Sequence, residues 1–153
     1  MIVRPTKEAD IAALQAVIDG TGLFPSEMLP DMVGGFLAND EDDGALWLTC
    51  ESDGAAVGFC FAKPEQLADG TWNMLAIAVD PAMQGHGCGR AIVGQLEADL
   101  AGQGARVLLA DTSGLDAFAK TRKFYHECGY SEEARIRDFW AAGDDKVVFW
   151  KRL

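Results

Sequence analysis

The apolar positions of the chain change period several times, and each change marks an element. Ile2-Val3-Arg4-Pro5 reads as a short first strand, and Thr6 stands where a helix cap is expected. Ile11, Leu14, Val17 and Ile18 recur at helical spacing and predict one buried face, with Gly20 and Gly22 ending that helix. A second helical run places Met28, Met32, Val33, Phe36 and Leu37 on its buried side, and Pro30 marks a start or break near its beginning. The connection over 21–27 is either a plain interhelical loop or the wall of a pocket. Residues 39–44 form a solvated acidic loop with no site assigned to it. From residue 45 the period falls to two. Strands over 45–50 and 55–62 flank Asp53-Gly54, a good hairpin turn. Pro64 closes the second of these, and Asp69-Gly70 turns the chain into a third strand over 71–79.

Beyond a Gly-rich stretch the period returns to that of a helix. Ile92, Val93, Leu96 and Leu100 define a buried stripe over 91–100, terminated by Gly102 and Gly104. Residues 106–110 read as the next strand. It should lie parallel to the strand over 71–79, because a helix crosses between them. Asp111-Thr112-Ser113-Gly114 follows, and turn and functional readings of it stand level. A helix over about 117–127 ends at Gly129. Strands over 130–136 and 146–150 close the chain, joined by a connection containing Phe139-Trp140 and Gly143-Asp144-Asp145, a candidate border of the acceptor pocket. Consecutive strands followed by a βαβ crossover predict an α/β (α+β) fold: one domain over 1–153, with a mixed, mostly antiparallel sheet and helices on both faces.

The candidate chemistry centres on Gln84-Gly85-His86-Gly87-Cys88-Gly89-Arg90, between a strand and a helix. Glycines at alternate positions let a ligand approach the backbone closely. Unpaired N–H groups at the following helix start, with the helix dipole behind them, suit phosphate oxygens, and Arg90 adds positive charge. A plain Gly-rich turn fits the spacing equally well. A P-loop requires Lys-Ser or Lys-Thr after the last glycine, where Arg90-Ala91 stands. A dinucleotide fingerprint requires Gly-x-Gly-x-x-Gly close behind the strand. Asp111, about twenty residues on, sits where a ribose-binding acid would. That keeps a nucleotide reading open, although the run of strands without intervening helices opposes it.

Ile77-Ala78-Val79-Asp80-Pro81-x-x-Gln84-x-x-Gly87-x-Gly89 resembles the acyl-CoA-binding signature of the GNAT superfamily of N-acetyltransferases. Downstream, Phe124-Tyr125-His126-Glu127-Cys128-Gly129-Tyr130 is similar to the Phe-Tyr-x-x-x-Gly-Phe/Tyr segment of the same family. The two segments occur in the family's order and separation, and the compatible pattern spans nearly the whole chain. The resemblance implies acetyl-CoA as cosubstrate. It implies strands that splay apart to admit the pantetheine arm near Ile77, Ala78 and Val79. It places cofactor contacts at Gln84, Gly85, His86, Gly87, Cys88, Gly89, Arg90 and Phe124. It also implies that the Val79 N–H serves the oxyanion and that Tyr125 protonates the departing thiolate. Tyrosine has a reference pKa near 10, so its hydroxyl is protonated and able to donate at neutral pH. Phe124 and Tyr125 as plain packed aromatics are the competing reading. Lys120 and Lys123 read as exposed charges rather than phosphate ligands.

No general base emerges. Asn73 lies where family members often place a carboxylate, and an amide is no ordinary base. Glu27, Asp111, Asp144, Asp145 and a water chain all remain open. Cys88 reads as a small buried hydrophobe rather than a nucleophile, and His86 as a loop residue. The alternatives to an enzyme are a non-catalytic acyl-CoA-binding regulatory module and a nucleotide-binding protein using the same glycines.

Composition narrows the partners. The 13 basic and 24 acidic side chains give a net charge of −11, which opposes nonspecific nucleic-acid and anionic-membrane binding and favours a cationic substrate such as an amine. No run approaches about eighteen uninterrupted apolar residues, and Met1-Ile2-Val3-Arg4-Pro5 carries no secretory core, so a cytoplasmic protein is expected. Cys50, Cys60, Cys88 and Cys128 include no Cys-x-x-Cys pair, and His86 and His126 are the only histidines, so no metal site is expected. Around a two-residue hairpin turn, Cys50 should face Val57 and Cys60 should face Trp47, which predicts free buried thiols. A homodimer is an expectation from the frequency of twofold assemblies alone.

Overall fold

The computed structural model describes residues 1–153. Its strands are β1 (Ile2–Pro5), β2 (Leu46–Ser52), β3 (Ala55–Pro64), β4 (Thr71–Val79), β5 (Val107–Ser113), β6 (Ser131–Ala141) and β7 (Asp144–Arg152). They form one sheet in the order β1-β2-β3-β4-β5-β7-β6. The β4–β5 pair is parallel and every other neighbouring pair is antiparallel. The helices are α1 (Ile11–Thr21), α2 (Leu29–Leu37), α3 (Cys88–Gly102) and α4 (Ala119–Glu127). No helix is long and apolar enough to cross a membrane.

Alternation along the strands divides the core into two layers. Trp47, Phe59 and Phe61 point to one face, where Leu14, Ile18, Leu29 and Val33 of α1 and α2 pack on them. Leu48, Cys60, Leu108 and Phe149 point to the other, against Ile92, Leu96 and Leu100 of α3 and Tyr125 of α4. Leu14, Ile18, Val33, Ile92, Leu96 and Leu100 are fully buried, and each such side chain contributes about 1.5–3 kcal/mol through removal from water. The stripes read from the sequence on α1 and α3 are therefore the ones the sheet covers. Gly22 ends α1 in a left-handed conformation (φ 65°), its N–H returning to Ile18 O.

Several boundaries differ from the sequence expectation. Thr6 is not a cap: its hydroxyl meets that of Thr49 (2.9 Å), and Asp10 instead accepts the Lys7 N–H (2.8 Å). Asp10 also receives a paired hydrogen bond from the Arg4 guanidinium (2.8 and 2.9 Å), tying β1 to the start of α1. Met28 lies in a 3-10 turn before α2 and is exposed, and Leu29 takes the buried place instead. The β2–β3 hairpin turns at Asp53 (φ 50°) and Gly54 (φ 80°), as read, but a bulge between Cys50 and Glu51 shifts the register by one. Cys50 thus faces Gly58 rather than Val57, and Cys60 faces Leu48 rather than Trp47. The strand expected to stop at 110 runs on to Ser113, because β7 continues its ladder through Ser113↔Lys146. The strand expected to stop at 136 runs to Ala141, so Phe139 and Trp140 lie on β6 and not in a connection. Every residue of β6 is exposed, so no buried alternation marks where the strand ends.

Candidate active site

The sheet is interrupted at its centre. β4 and β5 pair at Thr71↔Val107, Trp72↔Leu108, Asn73↔Leu109 and Met74↔Ala110, and no further. Beyond that point β4 stays with β3 as far as Val79, while β5 stays with β7 as far as Ser113. A bulge helps to separate them: Ala62 faces Met74 and Phe61 faces Ala76, leaving Leu75 as an extra residue that bends the strand. The Asp80 N–H donates to Val57 O of β3 (2.8 Å). Backbone groups alternate along a strand, so the Ala78 amide also turns toward β3, whereas those of Ile77 and Val79 turn into the gap. On that same edge the Gln84 side chain donates to Val79 O (3.1 Å). A cleft of about 820 Å³ occupies the gap and is lined by Ile77, Ala78, Val79, Gln84, Gly85 and Gly89 on this side.

The Gly-rich stretch forms one end of the cleft. Gly85 (φ 79°) and Gly87 (φ 89°) adopt conformations that side-chain-bearing residues avoid, and the space above each is open. Gly87 precedes α3, and no side chain caps the helix, so its first amides are free to meet an anion. Gly89 has a packing reason instead: a Cβ there would stand 3.2 Å from Phe124 Cε2 and Cζ. The cleft's other wall comes from α4, with Lys120, Thr121, Phe124 and Tyr125, and from the ends of β5 and β6, with Asp111, Thr112, Ser113 and Trp140.

Comparison with known proteins decides the family. Residues 14–130 match the model of the acetyltransferase (GNAT) family. The chain belongs to the GNAT acetyltransferases. It is 30% identical over 141 residues to the aminoglycoside N(6')-acetyltransferase type 1 of Stenotrophomonas maltophilia, covering 88% of each chain. A solved structure from Desulfovibrio desulfuricans, assigned to the GNAT family, superposes with a TM-score of 0.91 at 30% identity, covering 99% of this chain and 98% of the other. A Salmonella typhimurium protein solved with its cofactor acetyl-CoA has the same fold, with a TM-score of 0.81 at 20% identity over 100% of this chain and 94% of that one. Membership sets aside the nucleotide-binding reading of the glycines.

In this GNAT acetyltransferase Tyr125 is 3% exposed, yet it lines the cleft. Its ring is held by Phe149 (5.2 Å between centroids), Phe124 (5.5 Å) and Tyr130 (5.9 Å). Burial raises its pKa well above the ordinary tyrosine value, so the hydroxyl keeps its proton. Behind it, the Tyr130 hydroxyl donates to Glu97 (2.8 Å), which pairs with Lys151 (2.8 Å). Lys151 also donates to Cys128 O at the end of α4 (2.8 Å), anchoring the helix that carries Tyr125.

Not every residue of the expected site reaches the cleft. The Cys88 side chain is 1% exposed and packs in the core beneath α3, and its thiol is not offered to a ligand. His86 is exposed, with Nδ1 3.0 Å from Gln84 O. The Arg90 guanidinium donates to Glu127 O (3.3 Å), joining the start of α3 to the end of α4. Any contact from Cys88 must come from its backbone. Lys120 is exposed, as expected, and its side chain also lines the cleft, whereas Lys123 pairs with Glu127 on the surface (3.5 Å).

A polar wall beyond Met74 was only partly legible. The Asn73 amide donates to Asp111 Oδ2 (3.1 Å) and to Glu65 Oε1 (3.1 Å), and Lys146 approaches the same Asp111 oxygen (3.2 Å). Asn73 Oδ1 is buried without a partner. Asn73 therefore orients Asp111 rather than taking a proton itself. Ser113 donates to Asp144 (2.5 Å), and the Trp140 indole N–H donates to Thr112 O (3.3 Å). The signal for this wall was the alternation of Asp111 and Ser113 along one strand, obscured when residues 111–114 are taken as a turn.

Proposed function

We propose that the protein transfers the acetyl group of acetyl-CoA to a primary amine by direct attack in a ternary complex. Acetyl-CoA is the acetyl donor. The amides at the start of α3, with Gly85 and Gly87, hold the pyrophosphate, and the outward backbone groups of Ile77 pair with the pantetheine arm, which leaves the Val79 N–H for the thioester carbonyl. The neutral amine forms its N–C bond at the thioester carbon. The Val79 N–H takes the negative charge that gathers on the carbonyl oxygen. As the C–S bond breaks, Tyr125 gives its hydroxyl proton to the sulfur, and the amine's surplus proton leaves to solvent or to a carboxylate of the Asp111 wall. Tyr125 regains a proton from solvent, which balances the one released by the amine, and the products are the N-acetyl amine and CoA thiol.

The observation that carries this reading is the early end of the β4–β5 ladder at Met74↔Ala110. It opens outward-facing amides beside the Gly-rich helix start, and Tyr125 lines the same cleft. Titration calorimetry with acetyl-CoA, then with NAD and ATP, tests it. Selective acetyl-CoA binding is expected. Binding of NAD or ATP without acetyl-CoA would overturn the assignment of the glycines.

A further inference from the structure

We infer that the acceptor is a monoamine with an apolar or aromatic body, a deepening that rests on the amine-acetyltransferase reading. Beyond the pantetheine gap, the cleft is walled by Leu23 and Phe24 from the α1–α2 connection, Met32 of α2, Phe61 of β3 and, across from them, Trp140 of β6. Leu23 is 41% and Trp140 49% exposed, so the mouth of the cleft is apolar on both rims. No charged side chain of α1, α2 or their connection lines it.

The charge at this end is small. Asp111 and Asp144 are the carboxylates that line the cleft. Lys146 stands 3.2 Å from Asp111, and Asn73 donates to the same oxygen (3.1 Å). Asp144 holds the Ser113 hydroxyl (2.5 Å). Lys146 offsets Asp111, and Glu65, on the far side of Asn73, does not line the cleft, so Asp144 is the one lining carboxylate with no cationic partner, enough to draw in one ammonium group. Lys120, the remaining charged lining residue, is itself a cation and adds nothing for a second. A polyamine or an amino sugar brings several charges and, in the latter case, many hydroxyls. Against Leu23, Phe24, Met32 and Phe61 those hydroxyls lose water and gain no partner. An aromatic or branched aliphatic body buries apolar surface on the same walls. This departs from the aminoglycoside in the name of the Stenotrophomonas relative.

The test is a thiol-release assay with acetyl-CoA and four acceptors: phenethylamine, isoamylamine, spermidine and tobramycin. Phenethylamine or isoamylamine should exceed both polycations in kcat/KM by about 100-fold. Trp140→Ala should raise the KM for phenethylamine by about 10-fold and leave acetyl-CoA affinity unchanged, and Trp140→Phe should restore the KM. Preference for tobramycin or spermidine overturns the inference. So does the absence of turnover with either monoamine while acetyl-CoA binds, or a KM indifferent to Trp140→Ala. Failure to bind acetyl-CoA at all would instead remove the acetyltransferase reading beneath it.

Discussion

Replacing Tyr125 with Phe isolates one oxygen atom. No protein group hydrogen-bonds the hydroxyl, and the ring's contacts with Phe124, Tyr130 and Phe149 survive the change. Loss of an unpaired hydroxyl removes no hydrogen bond, so the urea-unfolding free energy should move by less than about 0.5 kcal/mol. Acetyl-CoA affinity should hold as well, since the oxygen acts only on the departing sulfur. The rate should not hold. A positioned general acid contributes about 100-fold or more, equivalent to about 2.7 kcal/mol at the transition state. Burial holds the phenol's pKa above its usual value. The wild-type enzyme should therefore keep its general acid protonated through pH 10, with no fall in kcat on that account. The assay is kcat by thiol release across pH 7–10, with calorimetry for acetyl-CoA. A kcat for Tyr125→Phe within about threefold of wild type would remove the tyrosine from the mechanism. A stability loss above about 1.5 kcal/mol would mean that the hydroxyl has a structural partner after all.

Three further outcomes are expected. Gly87→Glu forces a side chain into a φ of 89° and sets a carboxylate at the anion-facing helix start, so calorimetry should find acetyl-CoA binding abolished; retained affinity would refute the phosphate assignment. Asn73→Asp replaces the donor between Glu65 and Asp111 with a third carboxylate and should cost about 1–3 kcal/mol in urea unfolding at pH 7, less at pH 4 as carboxylates protonate; equal costs at both pH values would count against it. Hydrogen bonds from Arg4 hold the Asp10 pKa below the usual carboxylate value. That stability is present above the unfolded value, near 3.9, and is lost as pH falls through the folded one. Asp10→Asn should therefore destabilise by about 2 kcal/mol at pH 7 and converge on wild type near pH 2; a constant gap would contradict it.

The elements most legible in the sequence were those with one buried and one exposed face. The Leu14–Val17–Ile18 and Ile92–Leu96–Leu100 stripes become the surfaces that α1 and α3 bury. The glycines at 85 and 87 were legible because their conformations exclude other residues. What escaped depends on tertiary neighbours. β6 carries no buried residue, so its pattern does not mark where it ends: the strand read over 130–136 runs on to Ala141, and Trp140 meets the cleft from a strand rather than from a connection. The Cys50–Glu51 bulge shifts one register without altering the composition on either side. The sequence shows Arg90 as positive charge at a helix start, but not that its guanidinium reaches Glu127 O at the end of α4, a residue distant in the chain. The Asn73–Asp111–Lys146 wall joins three strands distant in sequence, and only the sheet order brings them side by side.

The early end of the β4–β5 ladder has a mechanical side. It leaves the molecule as two plates, β1–β4 and β5–β7, stitched edge to edge by four residue pairs and strapped by α3. A seam of this kind is the weakest line of the sheet, and a molecule laid along it acts as the missing rungs. Occupancy should then be felt as global rigidity: at a concentration 100 times Kd a ligand adds about 2.7 kcal/mol to the unfolding free energy. Hydrogen exchange should register where that energy goes. The amides of Ile77 and Val79, open in the free protein, should slow sharply on binding, and the paired amides at Thr71 to Met74 should slow with them as fraying of the seam is suppressed.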